Sequence, residues 1–313
     1  MKIIRNWIEE NVKKFFLLVA TVVLLVIFME GFEFNTPGVF RRGLALATPI
    51  ALVAMGETIS ERAGIINVGV EGMTLFGAMV AAWITLNSNI YLGALGGILG
   101  AGFLGLIHAY WCIRWRANQI VSGIAINIMT LGLASVIPAL FGGRRGTWSG
   151  FATLNPWMLV ALMLGIVVIV QVVLYKTLWG LRLRTAGDRP EAVDTAGGNV
   201  PRIRYTAMLL NGLLCGLAGV WLISYSGSFT DGIVAGRGFM GIAATVVGGY
   251  VPIWAFGSSF LFGFVFSLQQ ALQQFIPNQF AQMLPYIATI IVMAGLLGRI
   301  EVPEALGKHY IRE

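Results

Sequence analysis

Long apolar runs separated by short polar connectors set the pattern of this chain. Ten runs follow one another: Phe15–Met29, Leu44–Ile59, Ile65–Leu86, Tyr91–Ile113, Ile120–Leu140, Trp157–Tyr175, Tyr205–Ser224, Phe239–Tyr250, Trp254–Phe275 and Met283–Leu297. An α-helix needs about twenty residues to cross a hydrocarbon core of ~30 Å. Most of the runs approach that length, so the pattern predicts an all-α polytopic membrane protein with about ten transmembrane helices. Leu44–Ile59 and Phe239–Tyr250 are short for a full crossing and are expected to be broken or partly re-entrant. Residues 1–14 place Ile3, Ile4, Trp7 and Ile8 among Lys2, Arg5, Lys13 and Lys14, an amphipathic N-terminus suited to the inner membrane surface. No small-residue cleavage site follows Phe15–Met29, which reads as a retained span.

The charges sit in the connectors. Of 21 Lys and Arg residues, the ten-span topology leaves Arg41, Arg42, Arg144, Arg145 and Arg237 outside and the other sixteen inside, with both termini cytoplasmic. With 57% hydrophobic and 11% charged residues and a mean hydropathy of +0.81, the composition excludes an ordinary soluble domain. A net charge of +7 would raise nucleic acid as a partner for a soluble chain, but here membrane topology accounts for it, and lipid is the expected surrounding. Residues 1–313 read as a single membrane-embedded domain. Cys112 and Cys215 fall in or beside apolar runs and are expected as packing residues rather than a disulfide. His108 and His309 have no Cys/His neighbours, so no metal site is expected. No nucleophile, acid–base pair or Walker-type phosphate loop occurs, so no catalytic residue is assigned and any ATP that drives the protein must be hydrolysed by another chain.

The one long charged connector is Trp179–Arg204. Its arginines 182, 184, 189, 202 and 204 would cost about 2.5–3.5 kcal/mol each at a bilayer centre, which places the segment in water on the cytoplasmic side. Within it, Asp188–Gly197 predicts a short helix: Asp188 as cap, Pro190 in the first turn, Glu191 at the positive end and Gly197-Gly198 as the stop. Such a helix is marginal alone and needs a surface to dock against. Glu191-Ala-Val-Asp-Thr-Ala-Gly197 resembles the EAAxxxG pattern of permease subunits of bacterial ABC importers, with Val193 where the pattern has its second alanine. The resemblance implies that residues 179–204 are a cytoplasmic coupling loop and that Asp188, Pro190, Glu191, Ala192, Ala196 and Gly197 contact an ATP-binding subunit.

A second informative stretch is Glu57 to Gly72, where three glycines, several carboxylates and Asn67 interrupt an apolar run. Discontinuous helices beside a substrate route look like this. Asn67 and Glu71, four residues apart on one helical face, are candidates for that route. Glu61 and Arg62 are expected instead at the headgroup interface, paired with each other. Asn127, Asn211, Ser122 and Gln119 could line the same route or hydrogen-bond a neighbouring helix.

ERAGIINVGVEGMTLFGA, Arg116-Ala-Asn118-Gln119-Ile-Val-Ser122-Gly123 and Ala305-Leu-Gly307-Lys308 together resemble the nucleoside-type branch of the sugar, nucleoside and branched-chain amino acid permeases. The resemblance implies a bacterial inner-membrane importer subunit that binds no cofactor itself. ATP and Mg would sit on partner ATP-binding subunits, beside a second permease, homologous or identical, and an extracytoplasmic substrate-binding protein. Simple sugars remain an alternative substrate, and an ion-coupled secondary transporter a different class.

Val68-Gly-Val-Glu-Gly72 echoes Val234-Ala-Gly-Arg-Gly238 five spans later. An odd number of spans makes such a repeat inverted: two five-helix halves, with Glu71 in the inner membrane half and Arg237 in the outer.

Overall fold

A computed structural model describes residues 36–141, 147–273, 275–296 and 301–310. The span expected at Phe15–Met29, the amphipathic residues 1–14 and Arg144 and Arg145 lie outside the described residues. Those residues form α1 (Thr36–Arg62), α2 (Val70–Asn87), α3 (Ile90–Ile113), α4 (Gln119–Leu140), strand β1 (Thr147–Ser149), α5 (Pro156–Lys176), α6 (Leu178–Asp188), α7 (Pro190–Thr195), α8 (Val200–Ser226), strand β2 (Ser228–Thr230), α9 (Arg237–Val247), α10 (Pro252–Leu272) and α11 (Asn278–Leu296). Seven of these helices, α1–α5, α8 and α10, are long and apolar enough to cross a membrane.

Asparagine marks several of the starts. Asn89 accepts the amides of Tyr91 and Leu92, Asn118 those of Ile120 and Val121, Asn155 that of Trp157, and Asn199 that of Arg202. Each satisfies amides that a helix N-terminus leaves open, which hydrocarbon cannot do. Asn118 is therefore a helix cap.

Hydrophobicity does not hold helices together in lipid, so close backbone approach must. Gly93 and Gly97 on α3 face Ala81 and Gly77 on α2, as their four-residue spacing predicts. Further along α3, Gly105 meets Met208 and Gly212 of α8, and a Cβ on Gly216 would sit 2.7 Å from the Gly97 carbonyl. Gly43 of α1 and Gly263 of α10 form a matching seam, where Ser267 donates to the Val39 carbonyl at 2.8 Å. In the core, α1 has 94% of its apolar window buried, whereas α4 has 28% and turns most of its surface outward.

The bundle has two distinct ends. At one, α1 finishes at Arg62 against Gly187 of α6, with α7 and residues 301–310 alongside. At the other, β1 and β2 pair antiparallel, Trp148 opposite Phe229, and bury both rings.

Two expectations need correction. The run Leu44–Ile59 belongs to a 27-residue helix, not a short or broken one, because Thr36–Gly43 is helical despite Arg41 and Arg42. Arg41 lays its guanidinium 4.6 Å from the centre of the Trp157 ring, which accommodates the charge at the helix start. In residues 179–204, α6 accompanies the expected short helix, so Asp188 ends α6 and Arg189 occupies the cap position of α7. The short run at Phe239–Tyr250 is as expected: α9 has 11 residues.

Candidate functional site

Residues 63–69 break the chain between α1 and α2 inside the bundle, where every exposed amide and carbonyl needs a partner. Side chains from three other helices supply them. Gln119 accepts the Ile66 amide at 2.8 Å, and His108 meets the Ile66 carbonyl at 3.2 Å and the Ser122 hydroxyl at 2.9 Å. A His108 tautomer protonated on Nε2 satisfies both contacts, donating to Ile66 and accepting from Ser122. Asn127 donates to the Val68 carbonyl at 2.9 Å and accepts the Gly72 amide at 2.7 Å. Asn67 accepts the Gly69 amide and donates to Asn211 at 3.2 Å, while Asn211 donates to Glu57 at 2.6 Å and Ser60 at 2.7 Å.

The six route candidates, Asn67, Glu71, Asn127, Asn211, Ser122 and Gln119, therefore gather around this break and the helix that leaves it. Their amides and hydroxyls are engaged in holding helices, and Glu71 and Asn127 also border an open cavity. That cavity, 320 Å³ between α2, α4 and the start of α9, is lined also by Gly72, Leu131, Asp231 and Phe239.

Two helices start at this level and run towards opposite ends. α2 begins at Val70 with Gly69 as its cap residue, and α9 begins at Arg237 with Gly236, whose φ is 79°; neither glycine offers a side-chain cap. Each start is capped from elsewhere. Asn127 takes the Gly72 amide at the start of α2. Glu71 takes the amides of Gly236 and Gly238, both at 2.7 Å, at the start of α9. A carboxylate against the positive end of a helix is favourable, more so away from water. Glu71 thus grips the backbone on both sides of Arg237, so the two residues expected in opposite membrane halves sit side by side.

Glu57 and Glu61 are buried side chains. They are 0% and 3% exposed, and Arg62 donates instead to the carbonyls of Tyr250 at 2.9 Å and Gly249 at 3.2 Å. Tyr250, in the connector after α9, is buried, with its ring beside the Arg62 guanidinium. His108, Ser60, Asp231 and the buried pair Glu57–Glu61 were not legible as site residues. The spacing of Glu57, Ser60 and Glu61 on one helical face was the available signal.

At the α7 end, Pro190 and Val193 are buried and hold the short helix down, leaving Asp188, Glu191, Ala192, Ala196 and Gly197 exposed. Gly197 has φ 76°, and the amides of Gly197 and Gly198 close back on Asp194 and Val193 at 2.9 and 2.8 Å, the left-handed stop expected there. Among the described residues no group of three or more His, Cys, Asp or Glu could hold a metal ion, and both cysteines are buried thiols.

Residues 39–293 match the family described as branched-chain amino acid transport system / permease component. Guanosine ABC transporter permease protein NupQ of Bacillus subtilis is 34% identical over 302 residues, covering 86% of this chain and 95% of its own length. Nucleoside ABC transporter permease protein NupC of Lactococcus lactis is similar to the same degree, 34% over the same shares. Putative glucose ABC transporter permease protein TsgC13 of Haloferax volcanii is 30% identical, covering 88% and 98%. No solved structure matches the chain. Membership of a permease family sets aside the ion-coupled alternative and accords with a transport component that catalyses no reaction itself. A broken, glycine-seamed bundle matched over residues 39–293 and over nearly the full length of these relatives identifies the chain as a member of this ABC permease family.

Proposed function

We propose that the chain is the membrane permease subunit of an ATP-driven importer of nucleosides in the bacterial inner membrane. One observation carries the mechanistic reading: α2 and α9 start side by side within the bundle, next to a 320 Å³ cavity, and point towards opposite ends. Discontinuous helices whose starts meet at a central site are the arrangement through which transporters expose one site to each side in turn. The names of NupQ and NupC support a nucleoside as substrate. The name of TsgC13 keeps a sugar as the second reading.

In this reading the α7 end is cytoplasmic, both termini lie on that side, and α9, α11 and the run Phe15–Met29 join the seven long helices to give ten spans. The packing supports an inverted repeat, with α1, α2 and α3 answering α8, α9 and α10: α1 and α8 both have 27 residues, α1 packs along α10, and α8 along α3. ATP-binding subunits dock on α7, a second permease completes the pathway, and a substrate-binding protein delivers ligand at the β1–β2 end. The pairing of NupB with NupC names in Lactococcus lactis supports two permeases of related sequence.

The functional test is uptake of labelled guanosine by proteoliposomes holding the chain with its ATP-binding subunits, second permease and binding protein. ATP-dependent uptake competed by other nucleosides and not by glucose is expected; competition by glucose alone would replace this reading with the sugar one.

Sidedness is tested separately. Single cysteines at Thr195 on α7 and at Ser149 on β1, both exposed positions, should react with an impermeant maleimide from opposite sides of the membrane. Labelling of both from one side would overturn the assignment of the two ends.

The break has its own test. Asn127→Leu leaves the Val68 carbonyl and the Gly72 amide without partners, and Asn67→Leu releases Asn211. With each buried hydrogen bond contributing about 0.5–1.5 kcal/mol, uptake should fall about tenfold in Asn127→Leu and less in Asn67→Leu, with membrane insertion retained. Wild-type uptake in both would mean that the break's geometry plays no part in transport.

A further inference from the structure

Arg204 is a buried arginine, 3% exposed, at the α7 end of α8, and its fork joins two segments far apart in sequence. Nε donates to the Ala63 carbonyl at 3.1 Å, and Nη1 donates to the Lys308 carbonyl at 3.0 Å. The segment around Lys308 is itself tied down at two further points. The Ala305 amide donates to the Gly187 carbonyl of α6 at 2.8 Å, and the Gly307 amide to the Gly64 carbonyl of the break at 3.2 Å. Gly64 is packed so closely that a Cβ there would meet Nη2 of Arg204 at 2.7 Å. Residues 305–308 thus bridge α6, the break and α8 at one place.

The same place faces α7. A groove of 230 Å³ runs between α7 and the C-terminal segment, bordered by Asp188, Glu191, Arg204, Glu304, Lys308 and His309. Glu191 of α7 and Arg204 both line this groove, and any partner that shifts α7 moves an acidic group relative to the guanidinium. Burying an arginine with Nη2 lacking a partner among the described residues is costly, and an apolar residue would pack there more cheaply. What only arginine provides is a rigid planar fork able to hold two carbonyls in fixed relation.

We propose that Arg204, seated on residues 305–308, is the positioning residue that carries displacement of α7 to the break between α1 and α2. The inference rests on the importer reading above and adds a role for the C-terminal segment. When α7 shifts, α6 and the clasp at 305–308 shift with it. The clasp pulls on Ala63 and Gly64, and the break passes the movement through Asn67 and Glu71 to the half-helix starts at the cavity.

The test uses the complete transporter carrying Arg204→Lys, Arg204→Gln or Gly307→Val in this chain. Lysine keeps the charge but bonds as a point rather than a fork. Gly307 has φ 76°, which a β-branched residue is strongly disfavoured from adopting. Co-purification of the ATP-binding subunits and binding-protein-stimulated ATP hydrolysis should persist, while guanosine molecules imported per ATP fall at least tenfold in Arg204→Gln and Gly307→Val and by an intermediate factor in Arg204→Lys. An unchanged ratio in Arg204→Gln and Arg204→Lys would overturn the proposal. Loss of subunit co-purification in both arginine variants would also overturn it, since the clasp would then only maintain the docking surface. If the wild-type complex fails to import guanosine, it is the importer reading that fails, and the ratio is measured on the sugar instead.

Discussion

Glutamine in place of Glu71 is expected to lower guanosine uptake at least tenfold in proteoliposomes while the protein still inserts and holds its partner subunits. The carboxylate accepts two amides, Gly236 and Gly238, with one oxygen each. Glutamine has one acceptor oxygen, so its NH₂ group would confront the second amide, and the negative charge at the start of α9 would be gone. Hydrogen bonds to a charged group contribute about 1.5–3 kcal/mol each, and 1.36 kcal/mol corresponds to a factor of ten. Losing one bond therefore depopulates the seated position of α9 by roughly tenfold or more. The shorter carboxylate of Glu71→Asp would reach less far and is expected to rescue only in part. A complementary change, Gly238→Ala, puts a Cβ within 2.6 Å of the Glu71 carboxylate and should mimic the loss from the other side. Glu71→Gln with wild-type uptake would show that α9 does not depend on its borrowed cap.

The second large effect is expected at the exposed end of α7. Gly197→Val should abolish transport and transport-linked ATP hydrolysis without affecting insertion, and should weaken co-purification of the ATP-binding subunits. Among the described residues, no atom beyond its chain neighbours lies within 4 Å of a Cβ at this position, so crowding is not the cause. The cause is conformational: at φ 76° a β-branched side chain collides with its own backbone, and the turn that ends α7 has to reopen. Glu191→Arg attacks the same surface electrostatically. It places a positive charge at the positive end of α7 and removes an acidic side chain from the groove that Arg204 also lines. Retention of ATP-driven uptake by both variants would mean that α7 is not the docking element.

Helix positions were largely legible because apolar runs of nearly membrane-spanning length admit few other structures, and the asparagine caps were visible as residues even where their role was not. The half-helix α9 could be anticipated from its length alone. What the chain order hid was how helix starts are satisfied. Asn127 caps the helix start at Gly72, 55 residues earlier in the chain, and Glu71 caps one at Gly236, 165 residues later. No local pattern signals a cap borrowed across such distances. The burial of Glu57 and Glu61 was hidden for a related reason: carboxylates near the end of an apolar run look interfacial until the break that follows folds back into the bundle. α6 was missed because Leu178–Asp188, rich in arginine, has the composition of a connector, although Thr177 caps it through the Gly180 amide.

The borrowed caps also decide what the centre of the bundle offers to a visitor. An uncapped helix start is a ready anion site, with open amides and a positive dipole end directed at the ligand. Here both starts beside the cavity are already occupied, α2 by a neutral amide and α9 by a carboxylate. A phosphate entering the cavity would find no vacant helix end and would face the negative charges of Glu71 and Asp231, both on the lining. On the route proposed above, the same two helix starts would favour an uncharged solute over its phosphorylated form, a discrimination made by electrostatics before any base or sugar is recognised.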